Sequence, residues 1–383
     1  MKILIATDSF KDALPAIEVC KAIECGIKLA NPNIETILFP LGDGGEGTSE
    51  ILTFHSKGKW IKLKVHDPLF RLIEAGYGIS ADGSTAFIEM AQAAGLQLLK
   101  FEDRNPLKTS TYGVGEMILD AIKHGARNIV LCIGGSATND AGIGMAGALG
   151  YEFINHSALS IDQLTGENLS KINEIHHPPI PLSHYHPITP SPNSPITTTV
   201  LCDVDNPLFG PSGAAHIYAR QKGADDAAIT ELDTGLQHFA KILEQHFGRD
   251  FAQIPGAGAA GGLGAGAMAF LNAELKPGIE TVLELTEFDQ YTNEIDLIIT
   301  GEGKIDSQTL HGKLISGIVK KSNKIPVIAL CGTLLATPQE IEQIGLKAAF
   351  SILNRPMDLE TALAETARLL EQSAFQLVRA FEH

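Results

Sequence analysis

The chain has 383 residues, a length that predicts two to three domains with a sizeable core. Its net charge of -16 argues against a general binder of nucleic acid or of anionic membranes, since either would need a basic face. The five cysteines form no C-x-x-C pair, the N-terminus turns polar too early for a signal peptide, and no apolar run reaches the roughly 18 residues of a membrane span. We therefore expect a cytoplasmic protein with reduced cysteines.

The first part of the chain alternates strands with helices. Apolar strands are expected at 2–7 and 36–39, and helical spacing is found at 15–30 and 48–55. This alternation predicts that the strands pair in parallel.

The pattern changes in the middle of the chain, where three segments alternate between apolar and polar residues. They are 60–66, 73–80 and 85–90, and an Asp82-Gly83 turn before the last one predicts a hairpin in an antiparallel or mixed sheet. Further helices are predicted at 91–94, 110–124 and 142–150, and further strands at 128–133, 198–202, 296–300, 326–331 and 347–352.

The order of these elements predicts the α/β fold class with two α/β domains. One is a Rossmann-like parallel-sheet domain built from both chain ends, 1–58 and 288–383, and the other is a mixed-sheet domain inserted at 59–287. A cleft is expected between them.

The most informative stretch is 129–148, IVLCIGGSATNDAGIGMAGA. Gly134 and Gly135 follow an apolar strand and allow the backbone N–H groups to approach a ligand closely. The helix behind them would direct its unpaired N–H groups toward the same place. Asp140 offers a carboxylate to a metal or a hydroxyl group, and a phosphate-bearing ligand with Mg2+ would suit this chemistry. The alternative is an ordinary strand–turn–helix junction.

Three other loops repeat the pattern of glycines beside strands. They are 38–48 (LFPLGDGGEGT), 255–266 (PGAGAAGGLGAG) and 297–313 (LIITGEGKIDSQTLHGK). The windows 42–47, 134–150, 256–266 and 301–317 hold 4, 6, 6 and 4 glycines, and so 20 of the 38 in the chain. This concentration predicts loops that gather at the carboxyl ends of the strands, where open α/β folds bind ligands.

Several weaker signals leave alternatives open. Two G-x-G-x-x-G matches begin at Gly142 and Gly256, but neither has the strand-then-helix setting that dinucleotide binding requires. A dinucleotide-dependent oxidoreductase of a small hydroxy acid remains the alternative function, and a two-lobed solute-binding protein would need an export signal. Segment 176–199 is rich in proline and carries four histidines, and we expect a surface excursion there rather than a metal site.

Seven motifs occur in an order that resembles the bacterial glycerate kinases of the type 1 family. They are DSFK at 8–11, DGGEGT at 43–48, GGSATNDAG at 134–142, CDVDNPL at 202–208, QKGA at 221–224, GAGAAGGLG at 256–264 and TGEGKIDSQTLHGK at 300–313. The resemblance implies phosphorylation of D-glycerate with ATP and Mg2+, usually to 2-phosphoglycerate, in a cleft between two α/β domains. Thr7 and Asp12 stand where the family commonly has proline and glycine, and segment 176–199 is longer than is usual in the family. None of these departures removes a charged motif residue, and the first two concern the backbone near Lys11.

Phosphoryl transfer depends on positioning and charge neutralisation more than on covalent catalysis. We assign catalytic roles to Lys11, Asp43, Asp203 and Lys313, and we assign Mg2+ to Asp43 and Asp203. Substrate or phosphate binding is assigned to Asp8, Ser9, Gly44, Gly45, Glu46, Gly134, Gly135, Ser136, Thr138, Asn139, Asp140, Gly261, Gly262, Glu302 and Asp306. Glu46 and Asp140 also lie near helix starts, where a capping role is the alternative. The expected partners are small molecules, D-glycerate and ATP, without nucleic acid or membrane, and a homodimer is compatible with the sequence.

Overall fold

The structure is a computed structural model that describes residues 1–177, 195–310 and 314–381. Lys313 and most of the proline- and histidine-rich segment lie outside the described residues. Contacts divide the chain into unit 1, Met1–Asp43 with Ile279–His383, and unit 2, Gly44–Gly278.

The strands and helices follow one another along both units. The strands are β1 (Lys2–Thr7), β2 (Glu35–Leu38), β3 (Lys59–His66), β4 (Leu72–Ile79), β5 (Thr85–Glu89), β6 (Asn128–Cys132), β7 (Glu152–Asn155), β8 (Ile172–His176), β9 (Thr197–Leu201), β10 (Glu274–Lys276), β11 (Leu297–Ile305), β12 (Val327–Leu334) and β13 (Ala348–Ser351). The helices are α1 (Ala16–Ala30), α2 (Thr48–His55), α3 (Ala91–Ala94), α4 (Tyr112–Lys123), α5 (Ile143–Ala148), α6 (Ala214–Tyr218), α7 (Asp226–Phe247), α8 (Ala259–Leu271), α9 (Gly278–Leu285), α10 (Phe288–Tyr291), α11 (Leu314–Lys321), α12 (Pro338–Ile344), α13 (Leu359–Ala364) and α14 (Thr366–Phe381).

Unit 1 is built on a parallel sheet with the order β13-β12-β11-β1-β2. The apolar run of β1 is buried almost throughout, as expected for a strand covered on both faces. Helices α1 and α14 pack on one another, and their apolar faces meet the sheet at Ile3 and Ile5. The chain leaves β1 toward β2 on one side, while β11 leads to β12 on the other. The strand order therefore reverses between β1 and β11, which makes the carboxyl ends of these strands the expected ligand position.

Unit 2 contains a mixed sheet with the order β10-β9-β6-β5-β4-β3. The four strands from β10 to β5 are parallel, and β4 and β3 are antiparallel to their neighbours. The predicted hairpin turn between β4 and β5 is present, with Gly83 at φ 74° and Asp82 Oδ1 accepting from the Ser84 N–H at 3.0 Å. A separate sheet pairs β7 with β8. The α/β class, with a parallel sheet from both chain ends and a mixed sheet in the central segment, is thus confirmed.

The units meet along the sequence at residues 43/44 and 278/279, whereas we predicted 58/59 and 287/288. Helix α2 accounts for most of the difference because it packs on β4 and β5 of unit 2. Its Ser49 donates from both N–H and Oγ to Glu89 Oε1, at 2.8 and 2.9 Å. Gly78 lacks a Cβ where Thr53 of α2 lies against β4, so the helix can approach the strand closely. Local periodicity gave no sign of this packing.

Among the helices that the structure describes, none combines the length and the apolar character needed to cross a bilayer.

Candidate active site

The carboxyl edge of the unit 1 sheet gathers acidic residues from three strands. Asp8 directly follows β1, and Glu302 lies in the adjacent β11. After β2 the chain keeps running beside β1, because the Leu41 N–H donates to the Thr7 carbonyl at 2.9 Å. This path brings Asp43 to the same edge, where its charge acts on Asp8.

Asp8 is the most perturbed acid of this group, with 8% of its surface exposed. Burial first, and then the negative charge of Asp43, raise the pKa of Asp8 to about 7, and Glu302 adds a smaller effect in the same direction. The Ser9 N–H, 2.7 Å from Asp8 Oδ1, and the positive charge of Lys11 act to lower the pKa. Four other predicted residues of unit 1 therefore influence the pKa of Asp8: Ser9, Lys11, Asp43 and Glu302.

Lys11 lies in a tight turn, and its side chain is exposed. The Leu14 N–H donates to the Phe10 carbonyl at 2.8 Å, and Phe10 donates back to Leu14 at 2.9 Å. Asp12 adopts φ 61°, a left-handed conformation that suits glycine best and that aspartate tolerates better than most residues. The departure from glycine at position 12 therefore leaves the turn that presents Lys11 intact.

The loop after β11 ties Glu302 and Asp306 to neighbouring side chains. Thr309 Oγ1 donates to Glu302 Oε1 at 2.8 Å, and Lys304 Nζ lies 2.7 Å from Asp306 Oδ2. Glu302 is buried and its charge acts on Asp8, whereas Asp306 forms an ion pair with Lys304 of β11. Glu302 therefore belongs to the acidic group around Asp8. Lys313 lies beyond the described part of this loop.

The carboxyl edge of the unit 2 sheet brings four strand ends side by side. In the order of the sheet, Gly278 follows β10, Asp203 follows β9, Gly134 follows β6, and Glu89 ends β5. Asp203 is exposed, and its Oδ1 accepts from the Gly278 N–H at 2.8 Å. A Cβ added to Gly134 would lie 3.3 Å from the Gly45 Cα, so the DGGEGT and GGSATND loops approach each other here.

The DGGEGT loop reaches this edge by left-handed turns at Gly44 and Gly47, with φ 93° and 83°. The Gly44 N–H donates to Thr48 Oγ1 at 3.2 Å, which holds the loop to the start of α2. Glu46 is exposed, so its carboxylate is accessible to solvent and ligands. Glu89, which we did not predict, is buried, and burial raises its pKa although the Ser49 hydrogen bonds lower it.

The GGSATND loop has an exposed tip and a buried stem. Gly134 and Gly135 are exposed, and Gly135 has φ 74°. Hydrogen bonds from Leu96 N–H to the Gly135 carbonyl and from Ala137 N–H to the Ala94 carbonyl, both 2.9 Å, fix the loop. The tip is therefore a hydrogen-bonded turn whose two glycines are exposed.

Asp140 lies in the buried stem and has no exposed surface. Its Oδ2 accepts from the Thr111 N–H and Oγ1, each at 2.8 Å, and from the Gly144 N–H at 3.2 Å. Its Oδ1 is 3.3 Å from the Gly142 N–H. Burial raises the pKa of Asp140, and the Thr111 hydrogen bonds oppose that shift. These surroundings favour the capping role over the ligand role for Asp140. Thr138 and Asn139 are also completely buried.

Gly261 and Gly262 pack against the same stem. Their φ values are 70° and 90°, and the Ala141 N–H donates to the Gly261 carbonyl at 3.0 Å. A Cβ added to Gly261 would lie 2.0 Å from the Thr138 carbonyl oxygen. The glycines are therefore required for two backbones to touch. Of the two G-x-G-x-x-G matches, the one at Gly256 lies in this packing and the one at Gly142 leads into α5, and neither directly follows a strand.

Lys222, within the QKGA motif, is not among the site residues that the sequence predicts. Its side chain is 2% exposed, and its Nζ donates to Ser136 Oγ and to the Thr138 carbonyl, both at 2.6 Å. Burial lowers the pKa of Lys222 to about 7, and the charge of Asp140 acts in the opposite direction. Sequence reasoning misses such a residue because lysine is almost always at the surface.

Each sheet thus offers polar groups at its carboxyl edge: carboxylates with a lysine in unit 1, and a glycine turn with Asp203 in unit 2. In the part of the chain that the structure describes, no three His, Cys, Asp or Glu side chains form a group that could hold a metal ion. Mg2+ needs only one or two protein carboxylates when substrate phosphates and waters complete its ligands. These features are typical of α/β proteins whose candidate ligand loops lie at the carboxyl ends of parallel strands.

Comparison with known proteins identifies the family. Residues 3–382 match the Glycerate kinase family. The chain is 45% identical over 374 residues to the glycerate kinase of Halalkalibacterium halodurans, covering 97% of this chain and 96% of that protein. It is 43% identical over 365 residues to the glycerate 2-kinase of Escherichia coli K12, with coverage of 94% and 93%.

A solved structure described as a glycerate kinase 2 from Salmonella typhimurium LT2 superimposes with a TM-score of 0.88 at 38% identity, covering 100% of this chain and 98% of that one. The chain belongs to the glycerate kinase family, and it is an enzyme with kinase activity. The resemblance inferred from the motifs is confirmed.

Proposed function

We propose that the protein transfers the terminal phosphoryl group of ATP to a hydroxyl group of D-glycerate, with 2-phosphoglycerate as the product and Mg2+ as a requirement. The observation that carries the proposal is the acidic group around Asp8 beside Lys11, at the point where the strand order of unit 1 reverses. Support comes from the family and from relatives called glycerate kinase and glycerate 2-kinase.

The carboxylate oxygens of Asp43 and Asp203 are ligands of the kind that Mg2+ prefers. Asp43 acts on Asp8 through its charge, so negative charge is crowded at this edge of unit 1. Asp203 is exposed at the end of β9, and Gly278 holds it through Oδ1. We assign Mg2+ to Asp43 and Asp203, each as a single carboxylate. When bound, Mg2+ neutralises charge on the ATP phosphates.

We assign the other polar side chains of unit 1 to proton transfer and to binding of the substrates. Asp8 is buried and oriented by Ser9, and we assign it the acceptance of the proton that the glycerate hydroxyl loses. The exposed ammonium of Lys11 is assigned to an anionic oxygen of the phosphate or of the glycerate carboxylate. Glu302, held by Thr309, keeps the edge acidic and is assigned to the other hydroxyl of the substrate.

In unit 2, the glycine turns supply backbone donors instead of charged side chains. Gly134 and Gly135 are exposed at the end of β6, and Gly45 lies next to Gly134. Backbone N–H groups in such turns bind phosphate or carboxylate oxygens without side-chain bulk. We assign these turns, with Ser136, to the anionic groups of the substrates.

The activity is tested by coupling ADP formation to NADH oxidation with D-glycerate, ATP and MgCl2, and by locating the phosphate on the product with 31P and 13C NMR. We expect ADP only when both substrates and Mg2+ are present, with the phosphate on the C2 oxygen. ADP formed equally fast without glycerate, or no ADP at all, would contradict the proposal. Phosphate on the C3 oxygen would contradict the product assignment alone.

The Mg2+ assignment has a matched pair of variants in the CDVDNPL loop. Asp203 and Asp205 are both exposed, but Asp203 is the one held by Gly278 at the end of β9. We expect Asp203→Asn to raise the Mg2+ concentration needed for half-maximal rate about tenfold, the effect of roughly 1.4 kcal/mol. Asp205→Asn should leave it unchanged. Equal Mg2+ dependence in the two variants would remove Asp203 from the assignment.

A further inference from the structure

Lys222 is a buried cation whose hydrogen-bond partners are uncharged. Its Nζ is 2.6 Å from both Ser136 Oγ and the Thr138 carbonyl oxygen, and the side chain is 2% exposed. The charge of Asp140 acts on it without a direct contact. Burying an ammonium group is costly when no partner charge compensates it. A binding partner that brings negative charge to the loop would offset that cost.

The bond to Ser136 also fixes the direction of the serine hydroxyl. An ammonium group only donates hydrogen bonds, so Ser136 Oγ must accept from Lys222. The hydrogen of the Ser136 hydroxyl is then left to donate to a different group. Ser136 follows Gly134 and Gly135, which are exposed at the end of β6. The donor therefore lies next to a turn whose backbone is accessible to a ligand.

The backbone around Lys222 is fixed by a tight turn. It ends a 3-10 turn, Arg220–Lys222, and its N–H donates to the Ala219 carbonyl at 3.0 Å. Gly223 follows with φ 97°, and a Cβ there would lie 2.2 Å from the Arg104 carbonyl oxygen. Glycine is required at this position for the turn to seat against Arg104, so the lysine has little freedom to turn away from the loop.

We propose that Lys222 is a positioning residue for an anion subsite at Gly134–Ser136. It holds the Ser136 hydroxyl as a donor and places a positive charge behind the turn, so that the turn binds an anionic oxygen of a phosphate or a carboxylate. The inference rests on the proposed function, because that function supplies two anionic substrates, ATP and D-glycerate. No covalent step is involved.

The test uses Lys222→Met, Ser136→Ala, the double variant and the control Lys241→Met. Lys241 is an exposed lysine of α7, so its replacement removes the same charge away from the loop. We measure kcat, the KM for ATP, the KM for D-glycerate and the melting temperature. We expect Lys222→Met to raise one of the two KM values about tenfold or more while Lys241→Met leaves both unchanged, since losing a charge-assisted contact weakens binding by about that factor.

The double variant separates positioning from stability. If Lys222 acts through the Ser136 hydroxyl, the double variant should have nearly the same KM as Lys222→Met, and the effects will not multiply. A raised KM for ATP identifies a phosphate subsite, and a raised KM for D-glycerate identifies a carboxylate subsite. Multiplying effects, or a lower melting temperature with both KM values unchanged, would overturn the proposal.

Two further measurements keep the result decisive. If Lys222→Met does not fold, Lys222→Gln retains an amide donor and removes the charge, and Ser136→Ala alone still tests the hydroxyl. Calorimetric titration with ADP, with D-glycerate and with inorganic phosphate reports binding without turnover. Wild-type protein that binds these anions but forms no phosphoglycerate contradicts the proposed function, whereas equal binding by wild type, Ser136→Ala and the Lys222 variant contradicts this inference.

Discussion

Replacing Gly261 by alanine tests whether the glycine-rich loop at 256–264 serves packing rather than direct ligand contact. Gly261 has φ 70°, and a Cβ there would lie 2.0 Å from the Thr138 carbonyl oxygen and 2.6 Å from the Asn139 Cα. Gly248 is a matched control in the same unit, because it has φ 69° and no atom within 4 Å of an added Cβ. Both substitutions place an alanine at a positive φ, but only the new Cβ at position 261 would clash with other backbone atoms.

The expected magnitude follows from that comparison. An alanine in the left-handed region costs about 1–2 kcal/mol, and the change in unfolded-chain entropy is the same for both variants. Only Gly261→Ala must also move backbone atoms, at about 1–3 kcal/mol or more for overpacking. Gly261→Ala should therefore be less stable than Gly248→Ala by about 1–3 kcal/mol. In a unit of this size that difference corresponds to about 2–12 °C in melting temperature.

The assay is calorimetric melting of both variants and the wild type, with urea unfolding as a second measure and steady-state kinetics at a temperature where all are folded. Equal melting temperatures for Gly261→Ala and Gly248→Ala would refute the packing argument. A raised KM in Gly261→Ala without the extra loss of stability would show that Gly261 contacts the ligand directly.

Three further predictions address buried and exposed charges. Asp140→Ala should lower the free energy of unfolding by about 2–5 kcal/mol in urea titrations, because it leaves buried N–H and hydroxyl donors unpaired. The control Asp225→Ala, which removes an exposed N-cap, should lower it by only about 1 kcal/mol. A loss of turnover with unchanged stability would instead make Asp140 a ligand. Lys11→Met should reduce kcat/KM about ten- to hundredfold with an unchanged melting temperature, and near-normal kinetics would remove the exposed Lys11 from the site. The folded-state pKa of Lys222, about 7, lies below that of an unfolded lysine, so the unfolded chain binds more protons above pH 7 and the free energy of unfolding rises with pH there. The stability of the wild type relative to Lys222→Met should therefore increase between about pH 7 and pH 10. Parallel pH profiles of stability for the two proteins would contradict the titration of a buried Lys222.

Much of the fold was predictable from the sequence because its signals are local. The apolar runs of β1 and β11, the helical spacing of α1 and the Asp82-Gly83 turn each depend on neighbouring residues. The motifs also identified the family, since their residue types and order are properties of the chain itself. Positions at strand ends, such as Asp8, followed from the same reasoning, because parallel strands place their carboxyl ends on one edge.

Tertiary structure alone decided what each of the motif residues touches. Asp140 and Asp43 both belong to glycine-rich motifs, yet Asp140 is buried and accepts hydrogen bonds from Thr111, Gly142 and Gly144, while the path of the chain beside β1 carries Asp43 to Asp8. Lys222 is 86 residues from Ser136 along the chain, and its burial depends on how these two segments fold together. Burial and hydrogen bonding are set by contacts between distant segments, and periodicity, which reads only near neighbours, cannot assign them.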